Sequence, residues 1–440
     1  MWMRIFSPRF AALLTCGFLT LGLLSCDDDD NPGTGDTTVP VPSAYVFESR
    51  FQDGISSVNY GGQTVRNLLL EDITTLVNNL GSAAATQPAT MQDFLNLYDY
   101  NDNLNLQTIT TAGTKPLLET SYSAIATEKN LVGKISPAIV IGTGKTADAL
   151  LREWFQIIVD NSNDGDKLGT PAVYTTEDGA DLAELINKLL LGSVAYYQGT
   201  GVYLNGLLDQ DNSAARNGTD PYSAMEHSWD EAFGYFGAAR NYAAFTDDEL
   251  AGSLSGGVLP YARDANSDGF IDFQTEFNFG FARYAGKRDK GGSGVDFTAD
   301  AFTAALTGRT AIVNQATTEE IRTQQLALAR VWEEVIAASV VHYINGTLAD
   351  VAAVGGPFED RESLNAHWSE MRGYTMALQF NPFKQISDAQ LVDMADIMGM
   401  NPPISAPGSG DYQKFLSDYA MLKSTLQSVY GFSNDNMENW

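Results

Sequence analysis

Tyr203-Leu204-Asn205-Gly206 recurs downstream as Tyr343-Ile344-Asn345-Gly346, and 22 residues beyond each asparagine stands a histidine, His227 or His367. Each histidine is followed by Trp-x-Glu-x-x-Gly-Tyr, once as Trp229, Glu231, Gly234 and Tyr235 and once as Trp368, Glu370, Gly373 and Tyr374. Further along, Thr246 with Glu249 and Ser387 with Gln390 each form a helix-start signature, a hydroxyl residue with Glu or Gln three positions later. The matched order predicts one helical unit used twice, over about 181–250 and 318–391. The fold class expected is all-α, two related helical bundles from an internal duplication, with long Gly/Asp-rich loops.

Outside the repeats the same period recurs. Between Thr64 and Leu80, Val65, Leu68, Leu69, Ile73, Leu76, Val77 and Leu80 share one helical face, and Gly81 follows as a stop. Further helices are expected at Met91 to Tyr98, Tyr122 to Lys129 and Ala147 to Val159. Long apolar helices are expected to end near each Asn-Gly, with the histidine-bearing helices starting near Tyr222 and Arg361. Tyr45 to Tyr60 reads as a short irregular piece, and 252–294 as a long acidic insertion between the units.

Residues three or four apart on a helix share a face. His227 with Asp230 or Glu231, and His367 with Glu370, therefore each place an imidazole and a carboxylate together. Borderline metals accept that donor mix, and helical bundles build sites from such inward-facing pairs. The expected ligands of a transition metal, iron first and zinc second, are His227, Asp230, Glu231, His367 and Glu370. His342, the remaining histidine of three, aligns with Val202 and is either a core residue or a third histidine ligand. A structural hydrogen bond inherited by both units explains the same pattern without metal.

Paired helical units, His-x-x-Glu and an export signal together resemble the imelysin-like family, which implies a helical fold and a part in iron uptake. Its motif is Gly-x-His-x-x-Glu. Asn365 stands where that glycine would be, and the first copy reads His-x-x-Asp with Glu231 one residue later. Over most of the mature chain, the runs 229–237 and 367–374 resemble more closely an uncharacterised family, a domain of unknown function found in exported bacterial lipoproteins.

The insertion holds Asp264-Ala-Asn266-Ser-Asp268-Gly269-Phe270-Ile271-Asp272. This follows a calcium loop, with oxygen ligands at positions 1, 3 and 5, glycine at 6, the Phe270 carbonyl at 7 and Asp272 at 9. Position 12 is Thr275, and Glu276 falls one residue late as the closing carboxylate. Structural calcium is expected here. The run 160–166 is similar but lacks the apolar residue, and Gly142-Thr-Gly144-Lys145-Thr146 lacks the first glycine of a phosphate loop. No Gly-x-Ser-x-Gly occurs, so no serine-hydrolase elbow is present.

Residues 1–25 read as a signal peptide, with Arg4 and Arg9 before an apolar run from Ala11 to Leu24 that is short of the roughly 20 residues a membrane span needs. Leu23-Leu24-Ser25-Cys26 resembles a lipoprotein box, which makes Cys26 the acylated residue and the membrane a partner. Asp27 to Asp30 open a flexible tether over 26–43, and 44–440 is the folded domain. The address is an outer-membrane lipoprotein, facing either the surface or the periplasm. Both cysteines lie at or before the cleavage site, so the mature chain has no disulfide. Net charge is −29, which excludes nucleic acid as a partner and suits cations or neutral ligands. The function expected is a binding protein that captures a metal for uptake, partnered by an outer-membrane transporter. Alternatives are a metal-dependent hydrolase with Glu231 or Glu370 as general base and a surface glycan-binding lipoprotein.

Overall fold

Val335, Ile336, Ala337, Ala338, Ser339, Val340 and Val341 are seven consecutive residues without exposed surface. A helix apolar on every side must be enclosed on every side, and this stretch lies within the longest helix of the molecule, Thr318–Ala353. By length and hydropathy that helix would pass for a membrane span, but 61% of its most apolar window is buried inside the protein.

The computed structural model describes residues 38–105, 108–110, 116–252, 261–290 and 293–440. The expected leader, Cys26 and most of the tether lie outside the described residues, as do 253–260 and 291–292 of the insertion. The described chain is helical, with isolated bridges and no strand. Its α-helices are α1 (Gly61–Leu80), α2 (Met91–Tyr98), α3 (Tyr122–Ile125), α4 (Ala147–Ser162), α5 (Leu182–Leu190), α6 (Ala224–Phe236), α7 (Asp247–Leu250), α8 (Gly280–Asp289), α9 (Phe297–Val313), α10 (Thr318–Ala353), α11 (Arg361–Leu378), α12 (Asp388–Met398), α13 (Tyr412–Tyr430) and α14 (Asn434–Asn439). α5 runs on without a break into a π-helical stretch, Leu191–Leu204.

α10 is the axis, packed against α9, α11 and α13. The second unit is thus an antiparallel pair, α10 and α11, and the first pairs the π-helical stretch with α6. The two units meet closely. A Cβ on Gly192 would lie 2.5 Å from Ala377 Cβ of α11, and one on Gly199 would lie 2.5 Å from the Trp332 ring of α10. Both hydroxyl signatures form capping boxes as expected, Thr246 with Glu249 and Ser387 with Gln390. α3 is shorter than its expected range because Ala126 turns into extended backbone.

Candidate functional site

α6 begins at the capping box of Ser223 and Glu226 and sends its polar residues in different directions. Asp230 points inward, away from His227. Its carboxylate accepts from Arg309 Nε (2.8 Å), from the Tyr45 hydroxyl (2.8 Å) and from the Asn59 amide (3.2 Å). Arg309, from α9, also meets Glu226 at 3.0 Å and Ser57 at 2.9 Å, and neither it nor the two carboxylates is exposed. Burial raises the Asp230 pKa, with Arg309 opposing. Asp230, expected as a metal ligand, belongs instead to a buried ion network that joins the N-terminal segment to α6 and α9.

His227 and Glu231 do share a face, with Nε2 3.6 Å from Oε2. The imidazole stacks on Tyr222, 4.6 Å between centroids and 12° between planes. Its Nδ1 is buried with no hydrogen-bond partner. Burial lowers its pKa, with Glu231 opposing, so the ring is neutral at pH 7. Glu231 Oε1 accepts from Gln63 of α1 at 2.9 Å. The pair lines a cleft of about 460 Å³ whose other walls include Gly61, Gly62 and Arg66 of α1, Lys129, Lys134 and Tyr203.

In the second unit the expected pair is split. Glu370 turns to Lys188 of α5 (3.1 Å), which also pairs with Glu184, and Lys188 is only 3% exposed. Burial raises the Glu370 pKa against the pull of Lys188. Burial opposes the Lys188 charge, but Glu184, Tyr284 and Glu370 hold its pKa well above the ordinary value. These groups line a second cleft of about 380 Å³ with Glu71, Arg283 and Lys287. His367 faces elsewhere, its Nδ1 2.7 Å from Asp350 Oδ2. Gly346 shows why an Asn-Gly stands opposite it: a Cβ there would lie 2.8 Å from the imidazole Nδ1. Burial pushes the His342 pKa down to about 3, helped by the positive charge of Arg288 and by His367. Only His227 keeps its expected carboxylate, Glu231, while His367 and Glu370 part, and among the described residues no group of three or more His, Cys, Asp or Glu side chains is arranged to hold a metal.

The acidic loop is laced by its own hydrogen bonds. Asp264 accepts from the amides of Asp268 (3.1 Å) and Gly269 (3.0 Å), Asn266 Oδ1 accepts from Asp268 N, and Asp268 accepts from Phe270 N. Glu276 turns to the backbone of the same loop. It is 2% exposed and accepts from the amides of Ala265, Asn266 and Asp272. Asp272 accepts from Gln274 N and the Thr275 hydroxyl.

Other parts of the repeated motif behave alike in both units. Tyr203 stacks on Tyr235 and Tyr343 on Tyr374, with centroids 6.0 and 5.9 Å apart. Trp229 donates to Ala305 O and Trp368 to Met398 O. The hydroxyls of Tyr235 and Tyr374 are both buried and unpartnered. Sequence reasoning missed Arg66, Lys129 and Lys134. The one signal was Arg66, the single basic residue of the α1 sequence.

The geometry defines a helical protein with a polar cleft beside each Trp-x-Glu-x-x-Gly-Tyr segment. The chain matches DUF4856, a domain of unknown function, over residues 42–404 and belongs to that family. Neither a curated protein nor a solved structure matches it.

Proposed function

We propose that this chain is an exported, lipid-anchored binding protein that holds a small polar solute in the cleft between α1 and α6. The observation that carries this reading is the His227 side chain. It is a neutral imidazole with an unpartnered buried nitrogen at the wall of a cleft large enough for a drug-sized ligand. An unmet buried polar atom costs about 1–3 kcal/mol, and a bound solute toward which the imidazole turns recovers that cost. The lipid on Cys26, the outer-membrane address and a transporter partner belong to the same proposal and rest on the leader sequence. Descent of the two units from one is part of the proposal too, and the paired tyrosines and capping boxes support it.

A thermal-shift survey of the full chain against small polar solutes and metal ions tests the reading, with His227→Ala in parallel. A ligand that stabilises the wild type and not the variant is expected. If no solute separates the two proteins, the cleft is not the binding site. A second reading, capture of Fe²⁺ or Zn²⁺ as the imelysin-like resemblance implies, is favoured by the 3.6 Å approach of His227 to Glu231. Two protein donors leave the remaining coordination positions to other ligands. In the same survey, stabilisation by the metal ion alone, lost in both His227→Ala and Glu231→Gln, would select this reading.

A further inference from the structure

On the reading that the α1 cleft holds the ligand, we propose that this ligand carries an oxyanion, a carboxylate, sulfate or phosphate group, seated at the first turn of α1 among Arg66, Lys129 and Lys134. The chain has 55 acidic residues against 26 Lys and Arg, so a patch of its surface taken at random is acidic. This cleft is the reverse. Three cations line it against one carboxylate, Glu231, and one oxygen of that carboxylate is engaged by Gln63.

The positive charge is built in rather than incidental. Arg66 is 7% exposed, and its Nε and Nη1 donate to the carbonyls of Asn130 and Gly62. Neutral carbonyls orient a guanidinium without cancelling its charge, and a buried charge left uncompensated is costly. Among the described residues no carboxylate forms a salt bridge with Arg66, Lys129 or Lys134. Burial lowers the Lys134 pKa, with Arg66 and Lys129 adding to the shift and Glu231 opposing it. α1 adds to the field. It is 20 residues long, Tyr60 supplies no side-chain cap, and no acidic residue stands in its first turn. Its positive dipole end meets the cleft at Gly61 and Gly62.

The second cleft supplies the comparison. There Lys188, Arg283 and Lys287 stand among Glu71, Glu184 and Glu370, and Lys188 and Arg283 form ion pairs with all three glutamates. The fold can therefore neutralise cations at such a cleft with its own carboxylates, and beside α1 it does not. The same cleft is also lined by neutral His227, Tyr222, Asn59 and Gln274, which offer hydrogen bonds suited to hydroxyls. The ligand so described is a small hydroxylated acid.

Isothermal titration of the full chain in detergent micelles tests this, with glucuronate, glucose 6-phosphate, inorganic sulfate and inorganic phosphate as anionic probes and glucose as the neutral probe. At least one anionic probe is expected to bind, more weakly as salt is raised, and at least tenfold more weakly in the double variant Lys129→Gln/Lys134→Gln. Glucose is expected not to bind. The probe that binds identifies which oxyanion is taken and whether the hydroxyls are needed. Thermal melting of the double variant, whose changes lie in a surface loop, checks that it is folded. Glucose binding as tightly as glucuronate, and lost in His227→Ala, overturns the oxyanion and keeps the cleft. Anion binding unchanged in both the double variant and His227→Ala overturns the cleft as well. No anionic probe binding at about 10 mM, where even a weak site fills, overturns the oxyanion proposal.

Discussion

Replacing His342 with Leu should remove a pH dependence of stability that can be worked from its surroundings. Burial and the charges of Arg288, His367 and Lys287 push its pKa from 6.5 down to about 3. The unfolded chain takes up a proton below about 6.5, whereas the native chain does not until the pH nears 3. The unfolded state therefore binds more protons in this window, and stability falls as the pH drops through it. At about pH 5, one and a half units below the unfolded value at about 1.4 kcal/mol per unit, the loss is about 2 kcal/mol. That figure barely changes if the native pKa is 4 instead of 3, because the native histidine is neutral at pH 5 in either case. Asp181, Glu119 and Asp289, each raised to about 7 by burial, act in the opposite direction. The measurement is therefore the difference between wild type and His342→Leu in urea unfolding at pH 7 and pH 5. The wild type should lose about 2 kcal/mol more than the variant on acidification. Equal losses in the two proteins would show that His342 titrates normally in the fold and would refute the reasoning.

Arg309→Met should cost about 3–5 kcal/mol in denaturant unfolding, because it strands Asp230 and Glu226 as buried charges; a cost below about 1 kcal/mol would mean the carboxylates find other partners. In Gly308→Ala the new Cβ would fall 2.1 Å from Trp229 Cζ2, so a loss of about 1–3 kcal/mol is expected together with altered tryptophan fluorescence. Neither effect would appear if α9 can slide aside. Glu276→Gln should speed limited proteolysis within 261–290 in chelator and in calcium alike, since its carboxylate anchors three amides there. Chelator-dependent cleavage of the wild type, with the variant unchanged, would instead show calcium to be the element that orders the loop.

Helices with a one-sided apolar stripe, such as α1 and α4, could be read from spacing alone. α9 could not, because small residues such as Ala301, Ala304, Ala305 and Gly308 make its buried face and contrast little with their neighbours. α13 was legible in principle, since Phe415, Tyr419, Leu422, Leu426 and Tyr430 keep the helical period. The site divides in the same way. Spacing correctly places His227 and Glu231 on one face, because that relation is local. It cannot say that Asp230 will meet Arg309, 79 positions away, or that Glu370 will meet Lys188 rather than His367. A carboxylate one helical position aside answers to a different neighbour, and the neighbour is chosen by tertiary packing. The cationic cleft was hidden for a related reason, since Arg66, Lys129 and Lys134 carry no motif and gather only when the loop after α3 folds over the start of α1.

The ends of a domain are usually where it frays first, and here the entry point is fastened at its centre. Val39 exchanges two hydrogen bonds with the Asn314 side chain, Tyr45 stacks on Phe233 at 3.8 Å, and Tyr45, Ser57 and Asn59 all reach the Arg309 network. A pull on residue 39 would therefore be resisted by the molecule's most deeply buried charges. Trimming the chain past residue 45 would not shorten a loose end. It would withdraw the keystone from α6 and α9, and the wall that carries His227 would lose its footing with it.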